Sequence, residues 1–348
     1  MVQEIALEEL LERIRSGQHI AVDVRSPKEF EESAIPNSLN IPVFNNEERA
    51  EIGTLYKQVS PEAAKERGLE LFSRKLPSFI NEFKAIERPF TVYCWRGGMR
   101  SKTAATVLGL MGIETTRLTG GIRFYRQWVV KQLEEQEFGP QYIVLNGYTG
   151  SGKTTILRKL KEMGHPVIDL EQLAGHRGSI FGQIGLKPNS QKQFESQLVE
   201  EMEKLKNEPF IFIEGESKRI GKVLIPSLLF DKKEAGKQII LHLPIEERVA
   251  NLVRDYEPHK YPDLFLEAFQ LIKKRLTPAM SLAIEEHMEK QEFDAVAELL
   301  LLHYYDPRYK HSAFRNPERH IDIHANTTEE AIDKICDVVL PAIAQSKY

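Results

Sequence analysis

Residues 142–163 read YIVLNGYTGSGKTTILRKLKEM, and this stretch decides the fold of the second half of the chain. The apolar run YIVLN is typical of a buried strand, and TTILRKLKEM is typical of a helix. Between them, Gly147 to Thr154 satisfies the pattern G-x-x-x-x-G-K-[S/T], a loop whose backbone amides bind phosphate groups. Strand, loop and helix in this order predict an α/β domain that binds a di- or triphosphate.

Within this phosphate loop, Lys153 could reach the terminal phosphate oxygens and Thr154 could ligate Mg²⁺. The loop predicts that a diphosphate binds, but it does not predict that the diphosphate is hydrolysed. Backbone amides that bind a diphosphate can stabilise it as the leaving group of any reaction. The residues assigned to phosphate binding are Gly147, Thr149, Gly150, Ser151, Gly152, Lys153, Thr154 and Thr155.

Polar residues that follow neighbouring strands are candidates to support the phosphate loop. The strand PFIFIE is followed by GES, where phosphate-loop proteins usually carry an acid near the metal. Residues 170–182, LEQLAGHRGSIFG, are rich in turn formers and polar side chains, although a solvated connection is the alternative for this segment. The supporting candidates are Asp169, His176, Arg177, Ser179, Glu214, Glu216 and Arg219.

A second chemical centre is predicted at Cys94, which ends the strand-like run FTVYC and precedes WRGGMRS and a helical stretch. Adjacent glycines and a helix N-terminus form a cradle for an anion, so we expect a nucleophilic thiolate here. The other cysteine, Cys336, lies on the apolar face of a predicted helix, where packing suffices to explain it. The candidate catalytic residues are Cys94, Arg96, Gly97, Gly98 and Arg100.

The whole chain alternates strand-like and helical segments, which predicts an α/β fold with mostly parallel sheets. A chain of 348 residues exceeds one ordinary core, and the charged segment 131–141 ends in Gly-Pro-Gln. We therefore predict two domains, at 1–135 and 136–348. The predicted strands are HIAVDVR, SLNIP, FTVYC and TTRLTGG in the first, and YIVLN, HPVIDL, PFIFIE, QIILHL and RHIDIHA in the second.

Composition narrows the class of protein. No apolar run approaches the roughly 20 residues of a membrane helix, and the acidic amino terminus is unlike a secretory signal, so we expect no membrane contact and a cytoplasmic location. The net charge of -4 gives no overall attraction to nucleic acid. Since the histidines lack metal-ligand spacing, no metal site is assigned among them.

Several segments of the first half resemble the rhodanese family. They are Asp23 to Ser26 with Glu29 and Phe30, the run IPNSLNIP at 35–42, and Leu118 to Gly121. The resemblance implies a rhodanese-like domain in which Cys94 accepts sulfur or selenium from a donor. The spacing Cys94-x5-Arg100 is also that of cysteine phosphatases, which leaves phosphatase chemistry as an alternative.

The motifs CWRGGMRS, GYTGSGKT, LAGHRGSIFG and IEGESKRIG, in this order, resemble the tRNA 2-selenouridine synthase family, in which a P-loop NTPase-like domain follows the rhodanese-like domain. The resemblance implies that 2-thiouridine at the tRNA wobble position becomes 2-selenouridine through a geranylated intermediate. The implied substrates are geranyl diphosphate and selenophosphate, and no tightly bound cofactor is expected.

A tRNA requires a positive surface, which the stretches 273–275, 308–311 and 315–320 could supply, although a solvated basic face is the alternative. Three other functions also fit the motifs: a cysteine phosphatase fused to a kinase-like domain, a sulfur carrier that modifies no tRNA, and an enzyme that transfers sulfur instead of selenium. The sequence identifies neither the tRNAs nor the oligomeric state.

Overall fold

The computed structural model describes residues 2–135, 139–309 and 320–345. The chain divides into two compact units, one of residues 1–136 with 190–200 and one of residues 137–189 with 201–348. The predicted boundary between residues 135 and 136 adjoins a segment outside the described residues, and it stays a prediction. No helix in the described part of the chain is long and apolar enough to cross a membrane.

The first unit is built around a parallel sheet. Its strands are β1 (Gln3–Ile5), β2 (Ile20–Asp23), β3 (Leu39–Asn40), β4 (Phe90–Tyr93) and β5 (Thr116–Leu118). Among the described residues they form a five-stranded sheet in the order β1-β5-β4-β2-β3, with parallel neighbours throughout. The four strands predicted for this half are confirmed as β2 to β5.

Helices up to residue 135 are α1 (Leu7–Arg15), α2 (Pro27–Glu32), α3 (Asn46–Gln58), α4 (Pro61–Lys84), α5 (Met99–Leu110) and α6 (Gly121–Glu135). The long helix α4 is capped by the Ser60 hydroxyl, which accepts the amide of Ala63 at 3.0 Å. Leu69 on this helix is 71% exposed. The buried position is Gly68, and the next residue lies about 100° further round the helix.

The second unit also contains a parallel sheet. Its strands are β6 (Gln141–Gly147), β7 (Val167–Ile168), β8 (Phe210–Glu214), β11 (Lys237–His242) and β12 (His320–His324), and a separate antiparallel hairpin consists of β9 (Arg219–Ile220) and β10 (Val223–Leu224). In the described ranges the five strands run β12-β11-β6-β8-β7, parallel throughout. All five strands predicted for this half are confirmed.

The remaining helices are α7 (Lys153–Glu162), α8 (Leu170–Ala174), α9 (Gln191–Leu205), α10 (Ser227–Ala235), α11 (Ile245–Tyr256), α12 (Pro262–Gln270), α13 (Pro278–Glu289), α14 (Phe293–Leu300), α15 (Asp306–Tyr309), α16 (Thr328–Lys334) and α17 (Leu340–Gln345). Short 3-10 turns occupy Pro258–Lys260 and Lys273–Arg275, and π-helical turns occupy Leu301–Tyr305 and Ile335–Val339. Thr327 caps α16, since its hydroxyl accepts the amide of Glu330. The Glu330 carboxylate, however, accepts the amide of Asn326 and not that of Thr327.

The order of strands places the phosphate loop beside the acidic strand ends. The loop follows β6, whose neighbour β8 ends in Glu214, and the next strand, β7, is followed by Asp169. Because the carboxyl ends of parallel strands meet at one edge of a sheet, ligands bind at that edge. Residues far apart in sequence are therefore assembled around the phosphate loop.

Candidate functional sites

The thiol loop joins β4 to α5, and Cys94 at its start is only 3% exposed. The Cys94 sulfur lies 3.1 Å from the hydroxyl of Ser101 in the first turn of α5. The loop is closed by Gly121, where a β-carbon would lie 2.2 Å from the Cys94 carbonyl oxygen. That oxygen accepts the amide of Ile122 at 2.9 Å, so the close approach of the glycine turn holds the thiol in place.

Arg100 does not stand free beside the thiol, because Glu29 binds it. The Arg100 guanidinium donates to both carboxylate oxygens of Glu29, at 2.5 and 3.1 Å. Burial acts to raise the pKa of Glu29, but the Arg100 hydrogen bonds and charge outweigh it and lower the pKa to about 2. Arg96 is exposed on the loop. Arg100 is therefore held by Glu29 and does not act as an isolated positive charge beside the thiol.

In the second unit, the phosphate loop has its carbonyl groups bound by α11. Arg248 donates to the carbonyl oxygen of Thr149 at 2.9 Å, and Asn251 donates to that of Gly150 at 2.9 Å. Gly150 has a φ of +80°, and a β-carbon there would lie 2.6 Å from the Arg248 carbonyl oxygen. Lys153 donates to the carbonyl oxygen of Gly147 at 3.1 Å. The loop is therefore fixed from its carbonyl side.

A cavity of about 310 Å³ lies at this loop. Of the predicted residues, those that line it are Thr149, Gly150, Ser151, Gly152, Lys153, Thr154, Arg177, Ser179 and Glu216. Those that do not line it are Gly147, Thr155, Asp169, His176, Glu214 and Arg219. Sequence reasoning did not identify Arg158, Glu171, Asp255 or Tyr256, which also line the cavity.

His176 and Arg219 do not line the cavity, and each lies in a different environment. Burial, followed by the charge of Arg177, lowers the pKa of His176, so its ring is neutral and accepts the amide of Gly178 at 3.1 Å. Arg219 is exposed on the hairpin strand β9. The expectation that Arg219 faces the phosphate finds no support, because the segment that contains it folds back as a hairpin with β10.

Two carboxylates, those of Glu171 and Glu216, line the cavity next to the phosphate loop. The Thr154 hydroxyl donates to Glu171 at 2.9 Å. A β-carbon at Gly178 would lie 2.8 Å from an oxygen of Glu216 and 3.0 Å from one of Glu171, so these two carboxylates are neighbours. Burial, and then the charge of Glu216, raise the pKa of Glu171 to about 8, and burial also raises the pKa of Glu216 against the charge of Lys153.

Glu214 and Asp169 form a buried pair behind this cluster. Burial, and then the charges of Asp169 and Glu171, raise the pKa of Glu214 well above its ordinary value. One Glu214 oxygen accepts the amide of Leu170 at 2.6 Å, whereas the other, and one Asp169 oxygen, have no such donor. The Asp169 oxygen that lacks a hydrogen-bond donor lies 3.7 Å from the guanidinium of Arg158, and the other Asp169 oxygen accepts the amide of Gln172 at the start of α8.

An apolar cavity of about 50 Å³ adjoins the phosphate-loop cavity. The residues common to both linings are Thr149, Ser179, Leu252, Tyr256 and Tyr305. Its other walls are largely aromatic and aliphatic, with Phe181, Phe265, Phe293, Val296 and Leu300 among them. Together the two cavities can hold a ligand with a phosphate end and an apolar end.

Tyr256, one of the two tyrosines that line both cavities, is fixed by polar contacts. Its hydroxyl lies 2.8 Å from the Ser179 hydroxyl, and the guanidinium of Arg177 lies 4.9 Å from the centre of the Tyr256 ring. The apolar face of this ring therefore separates a cation-bearing compartment from an apolar one.

The structure also assembles a cluster that the spacing of histidines does not indicate. Ligand atoms of His242, Asp322 and His324 lie within 4.8 Å of one another at the ends of β11 and β12. Of the basic stretches, Lys273 donates to both oxygens of Glu285 at 2.7 and 2.8 Å, which reduces its value for RNA contact. Residues 310–319, which include most of the other basic stretches, lie outside the described residues.

The chain is similar to proteins of one named family. A model described as the tRNA 2-selenouridine synthase AAA domain matches residues 140–338, and a rhodanese-like domain model matches residues 6–128. A protein named tRNA 2-selenouridine synthase from Bdellovibrio bacteriovorus is 37% identical over 243 residues, which cover 68% of this chain and 64% of the relative.

Two further relatives carry the same name. One from Nitrosomonas europaea is 36% identical, with 68% of this chain and 63% of the relative covered. One from Hydrogenovibrio crunogenus is 35% identical over 323 residues, with 83% and 87% covered. The chain thus spans just under two thirds of the first two relatives and most of the third.

Glu171→Gln should make the stability of the protein less dependent on pH. The folded-state pKa of about 8 exceeds the ordinary 4.5, so the folded protein keeps a proton that the unfolded chain releases. The stability from that proton is complete below the unfolded pKa and is lost as the pH rises through 8, by about 1.4 kcal/mol per pH unit. Glutamine loses no proton, so the variant should melt well above the wild type at pH 8.5 and close to it at pH 5.

Melting temperatures at both pH values, measured by circular dichroism, test this prediction. Glu162→Gln is the matched control, since Glu162 is an exposed carboxylate on α7. The same difference between variant and wild type at pH 5 and pH 8.5 would contradict the raised pKa.

Proposed function

Because this chain belongs to the tRNA 2-selenouridine synthase family, we propose that it converts 2-thiouridine in tRNA into 2-selenouridine in two steps. In the first step the thiouridine sulfur takes the geranyl group of geranyl diphosphate, and diphosphate leaves. In the second, selenium from selenophosphate replaces the geranylated sulfur. We assign the first step to the phosphate loop and the second to Cys94.

The observation that carries the first assignment is the apolar cavity beside the phosphate loop. A nucleotide places a polar base and a ribose next to its phosphates, and these groups require hydrogen-bond partners. The adjoining cavity instead offers Phe181, Phe265 and Phe293, which suit a hydrocarbon chain. A diphosphate on the loop would direct its geranyl group past Tyr256 toward these aromatic side chains.

Cations around the loop suit a departing diphosphate. Lys153, Arg158 and Arg177 line the cavity, and the loop amides add donors that gain strength as negative charge develops on the leaving group. The sulfur of 2-thiouridine is the nucleophile, so the protein need only hold the two reactants in line and stabilise the diphosphate.

The same cavity has donors that suit Mg²⁺. The Thr154 hydroxyl and the carboxylates of Glu171 and Glu216 are hard oxygen ligands, and their mutual proximity fits a small divalent cation. Bound there, Mg²⁺ would neutralise diphosphate charge. Burial raises the pKa values of both carboxylates, and the charge of Glu216 adds to the effect at Glu171, so a cation bound there would favour their ionised forms.

The assignment of selenium transfer to Cys94 is supported by its loop. The sulfur lies 3.1 Å from the Ser101 hydroxyl in the first turn of a helix, so its position is fixed for attack on a bound substrate. Arg100 is neutralised by Glu29, so the site is less suited to a phosphate monoester than a phosphatase site would be.

Geranyl diphosphate should bind far more tightly than inorganic diphosphate or ADP. Each CH₂ group taken from water contributes about 0.8 kcal/mol, so partial burial of the chain should raise affinity at least tenfold. Isothermal titration with the three ligands, each with Mg²⁺, measures this. Equal or tighter binding of ADP would point to a nucleotide and remove the support for geranyl transfer at this loop.

Lys153→Ala should abolish geranyl transfer, with a loss of a hundredfold or more, because the departing diphosphate loses its closest cation. Mass spectrometry of nucleosides from 2-thiouridine tRNA incubated with geranyl diphosphate measures the product. Lys159→Ala, which removes an exposed lysine from the same helix, should keep full activity. Normal geranylation by Lys153→Ala would exclude the phosphate loop from this step.

Cys94→Ser should stop selenouridine formation and leave geranylated thiouridine to accumulate. The hydroxyl is a far weaker nucleophile near neutral pH, whereas the first step does not use the thiol. Cys336→Ser is the matched control and should make selenouridine normally. Full selenation by Cys94→Ser, or turnover of an aryl phosphate by the wild type without tRNA modification, would contradict the assignment.

A further inference from the structure

The first unit contains an apolar groove next to the thiol loop. It lies between α3, α4 and the start of α5, and its volume is about 580 Å³. This is within the range of small-molecule sites, roughly 300 to 1,000 Å³. The groove shares no lining residue with the phosphate-loop cavity. The two steps of the proposed function do not by themselves involve it.

Large apolar side chains stand exposed along this groove. Tyr56 and Met99 are both 62% exposed, Leu69 is 71% exposed and Trp95 is 42% exposed. Single exposed apolar residues are ordinary, but several that share one groove mark a binding surface. Leu69, which breaks the apolar pattern of α4, is one of them.

The groove is continuous with the surroundings of Cys94. Val43, Phe44 and Phe72 line it and also belong to the same packed cluster as Cys94. Trp95 directly follows the cysteine, and Met99 begins the helix that holds Ser101 against the sulfur. An apolar group in the groove would therefore be anchored a short distance from the thiol.

The charge of the groove rim indicates what the apolar group is attached to. Among the described residues that line it, the charged ones are Arg49, Lys57, Lys65 and Arg100, which make the rim basic. Glu29 pairs with Arg49 at 3.5 Å and with Arg100 at 2.5 Å, and Glu62 pairs with Lys65 at 3.9 Å, so three of these four cations are partly balanced. Lys57 is placed to contact an RNA phosphate next to the modified nucleoside. An exposed tryptophan at the same edge suits stacking with a base.

We propose that this groove binds the prenyl chain of an S-prenylated 2-thiouridine while the nucleoside reacts at the thiol loop. The inference rests on the proposed function and assigns it a second apolar site, specific for the second step. The hydrocarbon chain anchors the substrate in the groove, and the basic rim contacts the neighbouring phosphates.

The second step balances without an oxidant. The Cys94 thiolate forms a bond to carbon 2 of the base, and the bond from carbon 2 to the prenylated sulfur breaks with its electron pair on that sulfur. The selenium lone pair of selenophosphate then forms a bond to carbon 2 and displaces Cys94 as the thiolate. The prenyl thiolate leaves and takes a proton from water. Water then cleaves the bond between phosphorus and selenium, which releases phosphate and leaves selenium on the base.

The test uses the full chain with two synthetic RNAs that carry either S-geranyl or S-methyl 2-thiouridine, together with selenophosphate. The wild type should show a KM at least tenfold lower for the S-geranyl RNA, because only the long chain fills the groove. Leu69→Glu and Met99→Glu, which place a carboxylate in the groove, should raise that KM at least tenfold and remove the preference.

Leu110→Glu is the matched control, since Leu110 is an exposed leucine on the helix that also carries Met99 and does not line the groove. It should behave as the wild type. Circular dichroism melting of all three variants reports that they are folded.

The outcomes separate this inference from the proposed function. A wild type that converts both RNAs with equal KM, or groove variants that keep the preference for S-geranyl RNA, would overturn the groove assignment alone. A wild type that converts neither RNA would overturn the proposed second step, and the groove assignment with it.

Discussion

The second unit depends on how the carbonyl groups of the phosphate loop are bound. A loop that turns its amides toward a ligand must satisfy its carbonyls elsewhere, because a buried carbonyl without a donor costs free energy. Here Arg248 and Asn251 supply those donors from α11, and Arg248 is itself held by both oxygens of Asp306. The ligand side of the loop is thereby shaped before any ligand arrives.

The charged side chains around the phosphate loop suit the binding of a phosphate ligand. The cavity is lined by three cations and by the carboxylates of Glu171, Glu216 and Asp255, whereas Asp169 and Glu214 lie outside its lining. Burial raises the pKa values of Glu171, Glu214 and Glu216, and neighbouring carboxylates add to this effect at Glu171 and Glu214. Ligand and metal binding should therefore be coupled to proton release.

The two units share a chemical theme, since each combines an apolar compartment with a reactive polar loop. In the second unit the compartment adjoins amides that hold a diphosphate, and in the first it adjoins a thiol. A prenyl group that is attached in one step and removed in the next requires an apolar environment twice. The proposed function thus explains both apolar compartments, which the phosphate and thiol motifs alone do not explain.

The sequence by itself determined the α/β class, all nine predicted strands and the positions of Cys94 and the phosphate loop. These features are local, because alternating apolar runs and glycine-rich turns act over about ten neighbouring residues. Glu29 and Gly121 were also within reach, since both lie in segments that resemble the rhodanese family.

Only the tertiary structure decided what surrounds the two loops. Arg248 and Asn251 bind carbonyls about one hundred positions earlier in the chain, and Tyr256 reaches Ser179 from another helix. The sequence also gave Arg219 as a candidate to support the phosphate loop and Arg100 as a catalytic candidate. In the structure Arg219 lies on a hairpin strand and Arg100 forms a salt bridge with Glu29. Such contacts depend on strand order and helix packing, and no local pattern encodes which distant side chain will fill a given space.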